Sequence, residues 1–89
     1  MSDTVWQRSA DWVGTAVDDS FVMIHLGTGT YLTLNRTATA VWAALETPQT
    51  QQSVEDGLLR RFDVSVEECR KAVADLLDRM RDLQIAAPL

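Results

Sequence analysis

The spacing of apolar residues changes once along this chain, and that change limits the folds it can adopt. Up to Leu34, apolar and β-branched residues form short runs with an alternating pattern, the period of two that is typical of strands. From Asn35 onward, apolar residues recur at the spacing of an amphipathic helix. A chain of 89 residues has room for one domain. The pattern therefore predicts a single domain in which a sheet comes first and helices follow.

The N-terminal half predicts an antiparallel meander. Two turn signals, Asp18-Asp19 and Gly27-Thr28-Gly29, separate three apolar runs. Asp tolerates turn geometry through its own backbone hydrogen bonds, and Gly accepts positive φ without steric cost. Short strands joined by tight turns lie side by side. The predicted strands cover 12–17, 20–26 and 30–34.

The C-terminal half predicts three helices. Asn35 is a favoured N-cap for the first, which carries Trp42 on its buried face. The second begins near Thr50 and contains Gly57, a poor helix former whose presence we attribute to close packing. The segment Ser65-Val66-Glu67-Glu68 matches a capping box and opens the longest helix, predicted over 66–83. The inner stripe predicted for this helix comprises Cys69, Val73, Leu76, Met80 and Leu83, broadened by Val66, Ala72 and Leu77.

These elements define an α+β fold: a three-stranded antiparallel meander followed by three helices. Helices gathered on one side of an antiparallel sheet are most similar to the winged helix-turn-helix architecture. Residues 1–11 are predicted to be an N-terminal extension, and residues 12–89 the domain. The last residues, 84–89, are predicted to pack loosely.

Charge and composition argue against several classes of function. Eight Lys and Arg residues face 13 Asp and Glu residues, a net charge of −5. This balance disfavours nucleic acid and anionic membranes as partners, because phosphate neutralisation supplies most nucleic-acid affinity. No apolar run approaches the roughly 18 residues of a membrane span, and no secretory signal is visible. We therefore expect a cytoplasmic protein.

The single histidine and single cysteine leave little material for chemistry. His25 lies in the second predicted strand without a partner motif, and we expect it to be structural. Cys69 lies on the inner stripe of the last helix, where a free cysteine behaves as a small hydrophobic residue. A lone cysteine excludes an internal disulfide and any multi-cysteine metal site. We therefore predict no catalytic residue, no metal and no cofactor.

The segment GTYLTLNRTATAVWAAL resembles the signature of PqqD-like proteins, the peptide recognition elements of ribosomal-peptide biosynthesis. The resemblance covers about residues 12–86. It departs from the family pattern at Ala38, where a glycine is usual, and at Leu83-Gln84-Ile85, where the usual C-terminal glycine is absent. The matching residues are Gly29, Tyr31, Leu34, Asn35, Val41, Trp42 and Leu45, followed by Thr50, Leu58, Phe62, Asp63, Val64, Ser65, Glu67 and Glu68.

The resemblance implies a non-enzymatic protein that holds the leader segment of a precursor peptide and presents it to a modifying enzyme or leader protease. Radical-enzyme cofactor assembly and lasso-peptide proteolysis both use such modules. In the family the leader adds as a strand beside the third strand and rests against the third helix. The peptide-binding residues that this implies are Thr30, Tyr31, Leu32, Thr33 and Leu34, together with Arg70, Asp75, Leu77 and Arg79.

Several alternatives remain at the level of sequence. One flank of the long helix carries Asp75 and Arg79 and the other carries Arg70, Leu77 and Arg81, and the pattern does not decide which faces the peptide. Tyr31 either lines the groove or is half-buried on the sheet, whereas the alternating Leu32 and Leu34 are expected to face the core.

Two other kinds of function and a second binding edge are also compatible with the sequence. The first strand has a free edge too and is the physical alternative for peptide binding. A small winged-helix transcription regulator is the alternative function, and a structural subunit that assembles through the same sheet edge is a third.

Overall fold

The computed structural model describes residues 4–89 and has the α+β fold that the sequence predicts. The predicted meander and the three predicted helices are all present. Three further short strands were not predicted. In chain order the elements are β1 (Val5–Arg8), β2 (Trp12–Val17), β3 (Ser20–His25), β4 (Tyr31–Leu34), α1 (Arg36–Ala44), β5 (Gln49–Thr50), α2 (Gln51–Arg61), α3 (Val66–Asp82) and β6 (Ala86–Pro88).

The meander is antiparallel with the order β2-β3-β4. A two-residue turn joins β2 to β3, and Asp18 adopts a left-handed φ of 55° there, a conformation that Asp tolerates better than most residues. Gly14 in β2 is required by packing, because a Cβ at this position would overlap the Phe21 ring and lie 2.7 Å from the sulfur of Met23. The glycine thus lets an aromatic side chain of β3 cross over β2 on the inner face.

Each helix begins at a side-chain cap, and the caps at Asn35 and Ser65 were predicted. The Asn35 side-chain oxygen accepts a hydrogen bond from the Ala38 amide at 2.8 Å. The Thr50 hydroxyl accepts one from the Ser53 amide at 3.1 Å, and the Ser65 hydroxyl one from the Glu68 amide at 3.1 Å. These bonds satisfy amides that the first turn of a helix otherwise leaves unpaired.

The unpredicted strands form a second antiparallel sheet with the order β5-β1-β6. Val5 lies opposite Thr50 on one side, and Trp6 lies opposite Pro88 on the other. Strand β1 falls inside the predicted N-terminal extension, of which residues 1–3 lie outside the described residues. The domain boundary at residue 12 stays a prediction.

The prediction that the C-terminal residues pack loosely is wrong. Ile85 and Ala86 are each 1% exposed, and β6 pairs with β1. Helix α3 ends in a Schellman motif, in which the Ile85 amide donates to the Met80 carbonyl at 2.7 Å and the Gln84 amide to the Arg81 carbonyl at 3.0 Å. The motif turns the chain back toward the core.

One core receives side chains from both sheets and all three helices. Trp42 is buried, as predicted, and Leu32 and Leu34 are half-buried and pack against the core. Three expectations are wrong. Val66 and Leu83, at the two ends of the predicted α3 stripe, are exposed. Gly57 is not closely packed, since a Cβ there would meet nothing within 4 Å.

Candidate functional site

The outer edge of β4 is one of the two strand edges that the meander leaves unpaired within residues 4–89. Within residues 4–89, β4 pairs with β3 and with no strand on its other side. The pairing register places Tyr31 opposite Ile24 and Leu32 opposite Met23. The strand therefore presents an unpaired row of backbone groups, which is the usual template for adding another strand.

The hydrogen-bond pattern identifies which residues supply that row. The His25 amide donates to the Thr30 carbonyl at 2.9 Å, so His25 and Thr30 form a hydrogen-bonded pair. Such pairs alternate along an antiparallel ladder. Leu32 and Leu34 therefore direct their amide and carbonyl groups toward β3, whereas Tyr31 and Thr33 direct theirs outward. Thr30 faces β3, so the free edge consists of the backbone of Tyr31 and Thr33.

The side chains of β4 divide between the two faces of the sheet. Leu32 and Leu34 point toward the core, as the alternation predicts. Tyr31 is 71% exposed, so it is not the half-buried strand aromatic that was one of the two alternatives. A strand added at this edge would place alternate side chains beside the leucines on the inner face and beside Tyr31 on the outer face.

The α3 residues expected at the site lie in three different surroundings. Leu77 is 1% exposed and belongs to the core, so the structure corrects the expectation that it contacts a peptide. Arg70 is exposed and lies 3.8 Å from the Glu55 carboxylate, in a groove formed with β1 and α2. Asp75 and Arg79 line a shallow surface groove with Leu76 and Asp78.

These positions distinguish the two flanks of α3. Arg70 borders a groove with Trp6, and Arg81 lines another with residues of β1 and β6. That flank of α3 is thus bordered by the small sheet and by α2. The opposite flank, with Asp75, Leu76 and Arg79, has neither sheet in its groove, and Leu76 is half-buried at the margin of the core.

His25 and Cys69 have structural surroundings. The His25 Nδ1 accepts hydrogen bonds from the amides of Gly27 and Thr28, both at 3.1 Å, and its ring lies edge-on to Trp12. Cys69 is buried, and its thiol donates to the Glu55 carbonyl at 3.4 Å. Burial, and secondarily the nearby carboxylates of α2, raise the pKa of the Cys69 thiol above its ordinary value. The thiol therefore stays protonated at neutral pH and is a poor nucleophile.

No group of three or more metal-ligating side chains occurs in the described part of the chain. Among residues 4–89, no helix is both long and apolar enough to cross a bilayer.

Sequence reasoning missed Arg36 and Arg61 as surface features near the end of β4. Arg36 follows the helix cap directly, and its charge at the start of a helix was the available signal.

Comparisons with known proteins agree with this architecture. A family model described as coenzyme PQQ synthesis protein D (PqqD) matches residues 20–85. A solved structure of TbiB1 in complex with the TbiA(beta) leader peptide is 24% identical, with a TM-score of 0.79 over 90% of this chain and 93% of that chain. A lasso peptide synthetase B1 complexed with the leader peptide is 19% identical, with a TM-score of 0.79 over 93% of this chain and 98% of that chain.

No curated protein matches the chain. At these identities the two solved structures establish the fold alone. The comparisons give no support to the winged-helix transcription regulator.

Proposed function

Because this chain belongs to the PqqD family, we propose that it binds the leader segment of a ribosomally synthesised precursor peptide and delivers it to a modifying enzyme or leader protease. The two similar structures support the proposal, since each of those proteins was solved with a leader peptide. One of them is described as lasso peptide synthetase B1. A lasso-peptide pathway is therefore the pathway we propose first for this chain.

The observation that carries the proposal is the bare edge formed by Tyr31 and Thr33. Two outward amides and two outward carbonyls can pair with an extended peptide, as in strand addition to a sheet edge. The competing edge, on β2, also lacks a partner strand among residues 4–89. We favour β4 because its inner face carries two half-buried leucines, Leu32 and Leu34, beside which peptide side chains can be buried.

Helix α3 would supply the second wall. We propose that the flank with Asp75, Leu76 and Arg79 faces the peptide, because the flank with Arg70 and Arg81 is bordered by α2 and the small sheet. Leu76 offers apolar surface, and Asp75 and Arg79 offer charges of both signs. Buried peptide side chains contribute most of the affinity, at roughly 1.5–3 kcal/mol each, while the backbone hydrogen bonds mainly fix the register.

We propose that the protein works without catalysis or a cofactor of its own. The buried, protonated thiol of Cys69 and the hydrogen-bonded imidazole of His25 support this, since neither is placed to act on a peptide. We further propose that it acts in the cytoplasm, where ribosomal precursors are made. A free cysteine fits such a reducing compartment.

Binding of labelled synthetic peptides tests the proposal. The probes are the N-terminal portions of the short reading frames encoded beside the gene, each carrying a fluorophore. We expect one of them to bind and to slow hydrogen exchange at the Tyr31 and Thr33 amides. The Leu32 and Leu34 amides, already bonded to β3, are controls within the same strand and should change little.

A pair of variants separates backbone pairing from side-chain contact. Thr33→Pro removes an outward amide and should weaken binding about tenfold or more, since a lost hydrogen bond and the bulk of the ring both oppose pairing. Thr33→Val keeps that amide and should bind nearly as well as the parent protein. If protection appeared on β2 instead, or if the bound peptide were helical, the proposed mode of binding would be wrong.

A further inference from the structure

A groove lies at the end of β4 and has no role in the strand pairing described above. Its volume is about 720 Å³, and it is bounded by the β2–β3 turn, the end of β4, α1 and the last residues of α2. Thr33 and Leu34 form part of its rim, so a strand paired with β4 runs toward it. Phe21, Leu34 and Phe62 give it apolar walls. We call this the end groove.

Two guanidinium groups stand over one aromatic ring in the end groove. The central guanidinium carbons of Arg36 and Arg61 each lie 5.9 Å from the centroid of the Phe62 ring. Within residues 4–89, neither arginine takes part in an ion pair. The carboxylates of the groove, Asp18 and Asp19, belong to the hairpin turn. The helical wall is therefore locally positive in a protein of net charge −5.

Helix stability explains one of these arginines and not the other. Arg61 lies in the last turn of α2, where a positive charge complements the helix dipole. Arg36 is the first residue of α1, where a positive charge is disfavoured, and no acidic residue lies in that first turn. A cation at this position therefore opposes local helix electrostatics.

We infer that the end groove binds an acidic side chain of the precursor peptide, next to an apolar one, in the segment that continues past the Leu34 end of the paired strand. The carboxylate would pair with Arg36 and Arg61, and the apolar neighbour would pack on Phe62 and Phe21. This inference rests on the proposed function and adds a determinant of specificity. Strand pairing at the β4 edge forms hydrogen bonds with the peptide backbone and does not distinguish the charges of its side chains.

The test uses the labelled peptide that binds the parent protein, together with forms in which each Asp or Glu is replaced in turn by Asn or Gln. Arg36→Gln should weaken binding about three- to tenfold, and Arg36→Glu by more. Arg60→Gln is the matched control, because Arg60 is an exposed residue of the same helix turn as Arg61 but lies outside the groove lining. It should change binding less than twofold.

Two further readouts separate recognition from folding and from general charge. Replacing one particular Asp or Glu of the peptide should weaken its binding to the parent protein. The same replacement should not weaken its binding to the Arg36→Gln variant. Arg36→Glu should keep or raise the melting temperature, because an acidic residue suits the start of a helix. If Arg36 had only a structural role, its replacement would lower the melting temperature and the peptide affinity together.

The outcomes distinguish this inference from the function on which it rests. If Thr33→Pro abolishes binding while Arg36→Gln and Arg60→Gln behave alike, the strand pairing stands and the end groove assignment is wrong. The same conclusion follows if no acidic position of the peptide matters. If no precursor peptide binds the parent protein, the proposed function falls, and this inference falls with it.

Discussion

The two three-stranded sheets of this molecule differ in how the chain assembles them. The meander β2-β3-β4 joins consecutive strands through short turns and leaves the outer edges of β2 and β4 without a partner among the described residues. The small sheet β5-β1-β6 joins three distant parts of the chain, with only two or three residue pairs on each side. The first sheet leaves strand edges unpaired, whereas the second joins β1 to β5 and to β6.

The small sheet also contributes buried side chains to the core. The small sheet places Trp6 and Ala86 in the core, both nearly inaccessible to solvent. Arg8 extends the connection to α1, because its guanidinium lies 4.5 Å from the centroid of a Trp42 ring and donates to the Trp42 carbonyl at 3.1 Å. We infer that stability depends strongly on side chains of the small sheet, while ligand register depends on the backbone of the meander.

Replacing Trp6 is the strongest test of whether the small sheet stabilises the fold. Trp6→Ala should lower the free energy of unfolding by about 3–5 kcal/mol, because it removes a buried aromatic side chain and leaves a cavity. Urea unfolding followed by circular dichroism measures this. Gln7→Ala, at an exposed neighbouring position of β1, is the control and should cost little.

A graded variant keeps the test informative if Trp6→Ala does not fold. Trp6→Phe should lose less stability, and its folded fraction should bind peptide as the parent protein does. If both Trp6 variants lost little free energy of unfolding, the small sheet would contribute little to stability and the contrast between the two sheets would be wrong.

Gly14 tests the meander with a smaller effect. Gly14→Ala should cost about 1–3 kcal/mol, because the new methyl group overlaps the Phe21 ring and crowds the Met23 sulfur. Gly57→Ala is the same chemical change in open space within α2 and should stabilise the protein by about 0.5–1 kcal/mol through helix propensity. Thermal unfolding of the two variants should therefore shift in opposite directions. Equal shifts would show that packing at Gly14 does not limit the meander.

The sequence was sufficient for the meander and the helices because their signals are local. Turn residues, alternating side chains and caps such as Ser65 each act within a few residues. The small sheet has no such signal: β5 spans two residues, and the partners of β1 lie more than 40 positions away. Long-range pairing of short segments is invisible to periodicity, which is why residues 84–89 were expected to pack loosely.

The candidate site divides in the same way. The alternation predicted which β4 side chains face the core, and the chain order predicted a bare edge. The apolar pattern placed Leu77 on the broadened inner stripe of α3, and Leu77 is buried there. Its assignment to peptide binding was wrong, because the pattern does not show which residues at the flank of a broad stripe reach the surface. Nor did it join Arg36 to Arg61 and Phe62, since the turns that bring α1 and α2 together carry no chemical signature.

The smallest expected effect concerns Gln84, where the chain leaves α3 to enter the small sheet. Gln84 has a left-handed φ of 60° at the position of the Schellman motif that glycine usually occupies. A side chain there costs about 1–2 kcal/mol, whereas glycine loses more conformational entropy on folding, so the net gain for Gln84→Gly is about 0.5–1 kcal/mol. In a domain of this size that corresponds to a rise of roughly 2–8 °C in melting temperature, measurable by calorimetry.

Gln84→Ala retains the left-handed strain and is the control, with little change expected. If glycine lowered the melting temperature, the cost of this turn would lie in the side-chain contacts of Gln84, and the connection into the small sheet would be stabilised by packing instead of backbone conformation.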